Sequence, residues 1–198
     1  LASLPPFSSS CGPNQLLSSV LVGAELISER SPLPNQIGGS LREAGATVLA
    51  AVPPLWMQLL GAPEFAERPI ESLRILQNAG AHLTPAAVRA LRTAQPRAGL
   101  FLQYGLTEVF RSTFLPPEEV DRRPDSMGKA IPGAEILVIR EDLSPCAAGE
   151  VGELVHAGPT VTRGYWGDPM RTAEVFRPHP IDPAAGPAVV GSGGGAQA

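Results

Sequence analysis

The chain is poor in cysteine, charge and long apolar runs, and each shortage excludes something. Two cysteines, Cys11 and Cys146, stand far apart in unlike surroundings. They build neither a disulfide framework nor a thiolate metal site, so a reduced, cytoplasmic setting is expected. Charged residues make up only 17% of the chain, the net charge is −4, and the two signs are mixed along the sequence. No Lys/Arg run forms the basic face that nucleic acid or an anionic membrane surface requires. The longest apolar stretch, GATVLAAVPPLWMQLLGA, is broken by Pro53-Pro54, which argues against a membrane span. There is no metal-ligand cluster and no phosphate-cradling glycine loop, since the glycine run at 193–195 lies in the tail.

Glycine and proline are plentiful instead, at 21 and 22 residues. The C-terminal HPIDPAAGPAVVGSGGGAQA holds part of that excess and has lost all periodicity. It carries too little apolar mass to offset the entropy of ordering it, so 179–198 is expected to be a disordered tail. The remaining residues, in a chain that is 43% hydrophobic, suffice for one ordinary unit or two small ones. The chain opens on Leu1 inside an apolar stretch, and an incomplete protein is the expectation.

Residues 14–28 read as a helix capped by Asn14, with apolar positions at Leu16, Leu17, Val20 and Leu21, ended by Gly23 and followed by a short strand. SPLPNQIGGS (31–40) reads as a loop. The middle then alternates strand and helix. ATVLAAV (46–52), SLRILQNAG (72–80) and AGLFLQYG (98–105) are apolar enough for strands covered on both faces. Helices through LWMQLL and AAVRALRTAQ lie between them, the second started by Thr84-Pro85 and stopped by Pro96. These spacings imply parallel strands with right-handed crossovers, so 1–124 is expected to be α/β. Residues 125–178 turn β-rich, with strands at 134–140 and 153–158, a third at TVTRGYW, and a last helix capped by Asp168-Pro169.

The loops leaving the second and third parallel strands, NAGAHLT and YGLTE, emerge from one carboxyl edge, where open α/β sheets bind ligands. Gly105 lets a ligand approach the backbone, and Tyr104 offers a flat π face to a heteroaromatic ring. Thr107 can donate to an anionic oxygen, and Glu108 is a hard oxygen ligand suited to Mg²⁺. The same residues have a plainer reading. Tyr104 can be a half-buried strand end, and Thr107 can cap a helix whose first turn favours Glu108. His82 has no partner at catalytic spacing, and Trp56 and Phe110 suit a core as well as a pocket.

YGLTE at 104–108 resembles the adenine-and-metal motif of the AMP-forming adenylating enzymes, the acyl-CoA ligase superfamily. LPPFSSSCGPNQLLSSVLVGAELI resembles the segment after that family's phosphate loop, and LQNAGAHLTPAAVRALR its adenine loop and following helix. DSMGKAIPGAEILVI and GEVGELVHAGPTVTRGYWGDPMRTAEVF resemble its β-rich, distorted barrel-like subdomain. The likeness runs in order from about residue 1 to 178. VPPLWMQLL and FRSTFLPPEEVDRRPDSMGKAIP look most like the bacterial AMP-ligases that accompany exosortase A systems.

The resemblance implies part of a large N-terminal adenylating domain that activates a small carboxylic acid with ATP and Mg²⁺, releases pyrophosphate, and passes the acyl group to a thiol such as coenzyme A. A homo-oligomer is allowed for. Tyr104 would stack on adenine, Gly105 would line the acyl–adenylate channel, and Gly80 and Ala81 would wall the adenine. Thr107 would bond the α-phosphate and Glu108 would ligate Mg²⁺. The family's lysine-bearing phosphate loop, its ribose-binding aspartate and its catalytic-lysine domain are missing from the sequence, and SSSCGP replaces an aromatic-containing run. The expectation is therefore a ligase fragment inactive alone, with a non-catalytic nucleotide- or acyl-binding module, or a truncated product without function, as alternatives.

Overall fold

Five short apolar segments at the start and middle of the chain line up as parallel strands: β1 (Ala2–Ser3), β2 (Ile27–Ser28), β3 (Val48–Ala51), β4 (Ile75–Asn78) and β5 (Gly99–Tyr104). Their order in the sheet is β2-β1-β3-β4-β5, followed by β6 (Thr113–Leu115). Ala2 is opposite both Ile27 and Leu49, Val48 is opposite Ile75, and Ile75 is opposite Gly99. The computed structural model describes residues 1–4, 7, 11–28, 33–190 and 196–197. The chain divides into two units, Leu1–Tyr104 with Phe114–Gly128, and Gly105–Thr113 with Lys129–Ala198.

The first unit also holds α1 (Cys11–Leu21), α2 (Pro34–Glu43), α3 (Pro53–Leu60), α4 (Pro63–Ala66), α5 (Pro85–Ala94) and α6 (Pro117–Val120), of which α2 to α6 contribute to the apolar core with the sheet. Trp56, Phe65, Leu76, Leu91 and Leu100 are all fully buried in one continuous apolar cluster. Each aliphatic side chain so buried contributes about 1.5–3 kcal/mol relative to an exposed one. Gln95 ties the layers beneath α5, its Oε1 accepting from Ile70 N–H at 2.8 Å and its Nε2 donating to the Phe65 carbonyl at 2.8 Å. Thr84 caps α5 as expected, its hydroxyl oxygen accepting from Ala87 N–H at 3.3 Å.

Two readings of this unit are corrected. The expected loop at 31–40 is helical from Pro34 onward. Ile37 and Leu41, four apart, both bury against the core, which rewards a helix despite two glycines. Gly38 is there for contact, because a Cβ would lie 2.8 Å from the Glu64 carbonyl oxygen. Asn14 lies inside α1 rather than capping it. That helix buries Gln15 and Ser19 and exposes Leu17, Val20 and Leu21, the reverse of the usual amphipathic arrangement. Gly23, at φ +64°, does close it.

The second unit is antiparallel. After β7 (Lys129–Ala130), β8 (Glu135–Ile139) pairs with β9 (Val151–Ala157), and β9 also pairs with a later strand, β11 (Pro187–Val190). β11 in turn pairs with β10 (Phe176–Pro178). The buried apolar cluster is small: Ile139, Val155, Ala157 and Ala188. TVTRGYW is not a third strand, as only Val161 bridges, to Val109. Within residues 179–198, β11 joins β9, and β12 (Ala196–Gln197) pairs with Gly152 and Val151. The ladder supplies hydrogen bonds and one apolar face that composition alone does not reveal. Residues 191–195 and 198 lie outside the described residues.

Two histidines mark this unit. His179 is buried, and its Nδ1 accepts from Ile181 N–H at 3.3 Å and Asp182 N–H at 3.0 Å. The proton of the neutral ring is therefore on Nε2, which donates to Glu135 at 3.2 Å. His156, next to last in β9, is fully buried, and desolvation pushes its pKa down to about 4.

Candidate functional site

In the first unit Asn78, the last residue of β4, is in register with Leu102, and β5 runs on past it to Tyr104. The loop after β4 turns at Gly80, whose φ of +88° favours glycine and whose Cβ would come 3.2 Å from Val52 Cγ1. Asn78 staples this loop, its Nδ2 donating to the Ala81 carbonyl at 3.1 Å. A cavity of about 80 Å³ opens at the strand ends, walled by Asn78, Ala81, His82, Gln103 and Tyr104 and by the 124–127 segment. Oδ1 of Asn78 and Oε1 of Gln103 are buried there without a hydrogen-bond partner among the described residues. An unsatisfied buried carbonyl costs about 1–3 kcal/mol, and the two at this cavity are acceptors open to a donor within it. Tyr104 is half-buried, and burial raises its phenol pKa, keeping the ring neutral beside the cavity.

The second unit holds the other half of the motif. Gly105 has no room for a side chain, since a Cβ would lie 2.5 Å from Arg111 N. The backbone between them closes by Leu106 N–H donating to Val109 O at 3.1 Å. No helix follows Thr107, so the reading of Thr107 as a helix cap is overturned. The segment is instead zipped to 160–162: Thr162 N–H donates to Glu108 O at 2.8 Å, and Phe110 N–H to Thr160 O at 3.3 Å. Thr107 is left exposed. The Glu108 carboxylate is half-buried, and the Tyr165 hydroxyl donates a short hydrogen bond to its Oε1. That bond raises the Tyr165 pKa, with Arg171 beside the same hydroxyl opposing the effect.

Of the expected residues, Ala81 and Tyr104 line one cavity, and Gly80 makes the turn that carries Ala81. Gly105, Thr107 and Glu108 lie on the zipped loop of the second unit. Trp56 is core, His82 is an exposed loop residue, and Phe110 sits under the Arg111 guanidinium at 5.6 Å. Sequence reasoning missed Asn78, Gln103 and Tyr165. Asn78 and Gln103 are the polar residues at the ends of the two strands, and that interruption of an apolar run was the available signal. Tyr165 lies 57 residues from Glu108, and no local pattern pairs them.

Among the described residues no group of three or more His, Cys, Asp or Glu could cage a metal ion. A single half-buried carboxylate instead suits Mg²⁺, which commonly takes one or two protein carboxylates and fills its shell with phosphate oxygens and water. None of the described helices is long and apolar enough to cross a membrane.

The family described as AMP-binding enzyme matches residues 1–166. The chain is 30% identical over 167 residues to a salicylyl-CoA synthase / salicylate adenylyltransferase from a Streptomyces species, covering 82% of this chain and 30% of that protein. It is 37% identical over 166 residues to the delta-poly-L-ornithine synthetase of Acinetobacter baumannii, covering 82% of this chain and 12% of that protein. Among solved structures VinN superposes with a TM-score of 0.79 at 33% identity, over 91% of this chain and 43% of the VinN chain. The chain thus spans less than half the length of each of these proteins.

Proposed function

The chain belongs to the AMP-binding enzyme family, and on that premise we propose that it carries the adenine-side and metal-side parts of an acyl-adenylate site. The observation that supports this most is the cavity at the ends of β4 and β5. There a neutral tyrosine ring stands beside two buried, unpartnered carbonyl oxygens. A purine amine donates, and its ring stacks; Asn78 or Gln103 accepts the first, and Tyr104 receives the second. Gly80 and Ala81 wall the ring edge, and Gly105 keeps the backbone low where the acyl–adenylate must pass.

Phosphate chemistry falls to the next residues in the chain. Thr107 donates its hydroxyl to an α-phosphate oxygen, and Glu108 offers a carboxylate oxygen to Mg²⁺. The bound cation would neutralise charge on the phosphate oxygens during attack by the substrate carboxylate. The chain's own residues orient and hold, which is how positioning enzymes lower the barrier. YGLTE supplies a hydroxyl and a carboxylate, and on this reading the chain binds nucleotide and turns over little by itself. In the whole reaction a small carboxylic acid is the substrate, and coenzyme A or another thiol accepts the acyl group.

Calorimetric titration with AMP tests the reading. Saturable 1:1 binding that Tyr104→Ala abolishes, and that Thr107→Val weakens by about 1.5–3 kcal/mol, supports it. No AMP binding by the folded wild-type chain overturns it. ATP–pyrophosphate exchange by the same chain would overturn the statement about turnover while leaving the site in place.

A further inference from the structure

Glu108 is held at two points, and only one of them is in its own loop. Its backbone carbonyl accepts from Thr162 N–H at 2.8 Å, next to the Val109–Val161 bridge. Its side chain is fixed by the Tyr165 hydroxyl on Oε1. We propose that Tyr165 is a positioning residue that aims the free oxygen of Glu108, Oε2, at a divalent cation bound with the nucleotide. This rests on the reading of Glu108 given above.

The construction around Tyr165 suits that role. Gly164 precedes it at φ +124°, and a Cβ there would lie 2.4 Å from Thr172 Cγ2, so the loop packs closely on α7 (Pro169–Val175). Thr172 Oγ1 accepts from Tyr165 N–H at 2.9 Å and donates to the Asp168 carbonyl at 2.8 Å. Asp168 in turn caps the helix, accepting from Arg171 N–H at 2.9 Å. The ring meets Phe176 edge-on, with centroids 5.6 Å apart and planes at 78°. Backbone, ring and hydroxyl are each engaged, so the phenol cannot swing without breaking a named contact. A carboxylate with one oxygen spoken for presents the other in a fixed direction, and such outer partners tune metal sites strongly.

Tyr165→Phe keeps the ring on Phe176 and removes only the hydroxyl. The probe is α,β-methylene-ATP, which cannot be cleaved to AMP, titrated with and without Mn²⁺ into the full chain, with Mn²⁺ binding read by electron paramagnetic resonance. Wild type is expected to bind the analogue more tightly with Mn²⁺. Tyr165→Phe is expected to lose about tenfold of that metal-dependent gain. Its metal-free affinity and melting temperature should match wild type, and Glu108→Gln should lose the gain entirely. A Tyr165→Phe chain that keeps the full gain overturns the proposal, as does one that loses metal-free affinity equally, which would mark Tyr165 as merely structural. A wild-type chain with no Mn²⁺ dependence overturns the reading of Glu108 itself, and this inference with it, before any variant is made.

Discussion

The two units hold themselves together by different means. The first buries a broad apolar cluster, including Trp56, Phe65, Leu91 and Leu100, between a parallel sheet and its helices. The second has only Ile139, Val155, Ala157 and Ala188 fully buried in its apolar cluster, and relies on strand pairing, turns and side-chain hydrogen bonds. The YGLTE motif divides along the same line. Tyr104 is the last residue of a well-packed strand, whereas Thr107 and Glu108 belong to a loop held by hydrogen bonds. Stacking needs a rigid wall, which packing gives; metal binding needs an aimed oxygen, which hydrogen bonds give.

The sharpest way to break this contrast is to empty the larger core. Phe65→Ala should cost about 3–5 kcal/mol in urea unfolding. Trp56 emission reports this unit, since Trp56 is buried and the other tryptophan, Trp166, is fully exposed. A loss near zero would mean that the cluster is not the source of the first unit's stability.

Acid should strike the second unit. His156 holds a pKa of about 4 where an ordinary histidine has 6.5. Below pH 6.5 the unfolded chain therefore takes up a proton that the folded one refuses. Stability is lost as pH falls from 6.5 towards 4, by on the order of 2–3 kcal/mol in all. Hydrogen exchange of the β9 amides should accelerate over that window, and His156→Leu should flatten the response. An unchanged slope in that variant would assign the acid sensitivity elsewhere.

Gly128 offers a similar test in the first unit. At φ +82° its Cβ would lie 2.0 Å from the Phe114 carbonyl oxygen. Gly128→Ala should cost at least about 1–3 kcal/mol in the same unfolding measurement. Smaller still, Ile139→Val in the second unit should cost about 0.5–1.5 kcal/mol by β9 exchange. Arg140→Ala, which breaks an exposed pair with Glu150 that hydrogen-bonds the turn after β8, should shift β9 exchange least of all.

The parallel strands were legible because burial on both faces writes itself as a near-continuous apolar run, as in ATVLAAV. Thr84-Pro85 was legible because a cap is a local bond between near neighbours. α2 was not, because the reason for Gly38 is the Glu64 backbone in another helix. β11 was missed because its apolar partners lie on β9, and the Pro/Gly/Ala composition around it hides four pairing residues. Of the site, the motif residues showed in sequence as a chemically pointed cluster. Asn78, Gln103 and Tyr165 became visible only through burial and long-range bonding. The apolar face of α1 has no counterpart among the described residues to explain it.

The central claim is that the cavity at the ends of β4 and β5 takes the adenine of a nucleotide. Amide chemical-shift mapping of the isotopically labelled chain during an AMP titration with Mg²⁺ tests it most directly. A single saturable transition is expected in which Ala81, Gln103 and Tyr104 shift together, while β9 amides stay still. Shifts confined elsewhere, or none in a chain whose spectrum is well dispersed, would contradict it.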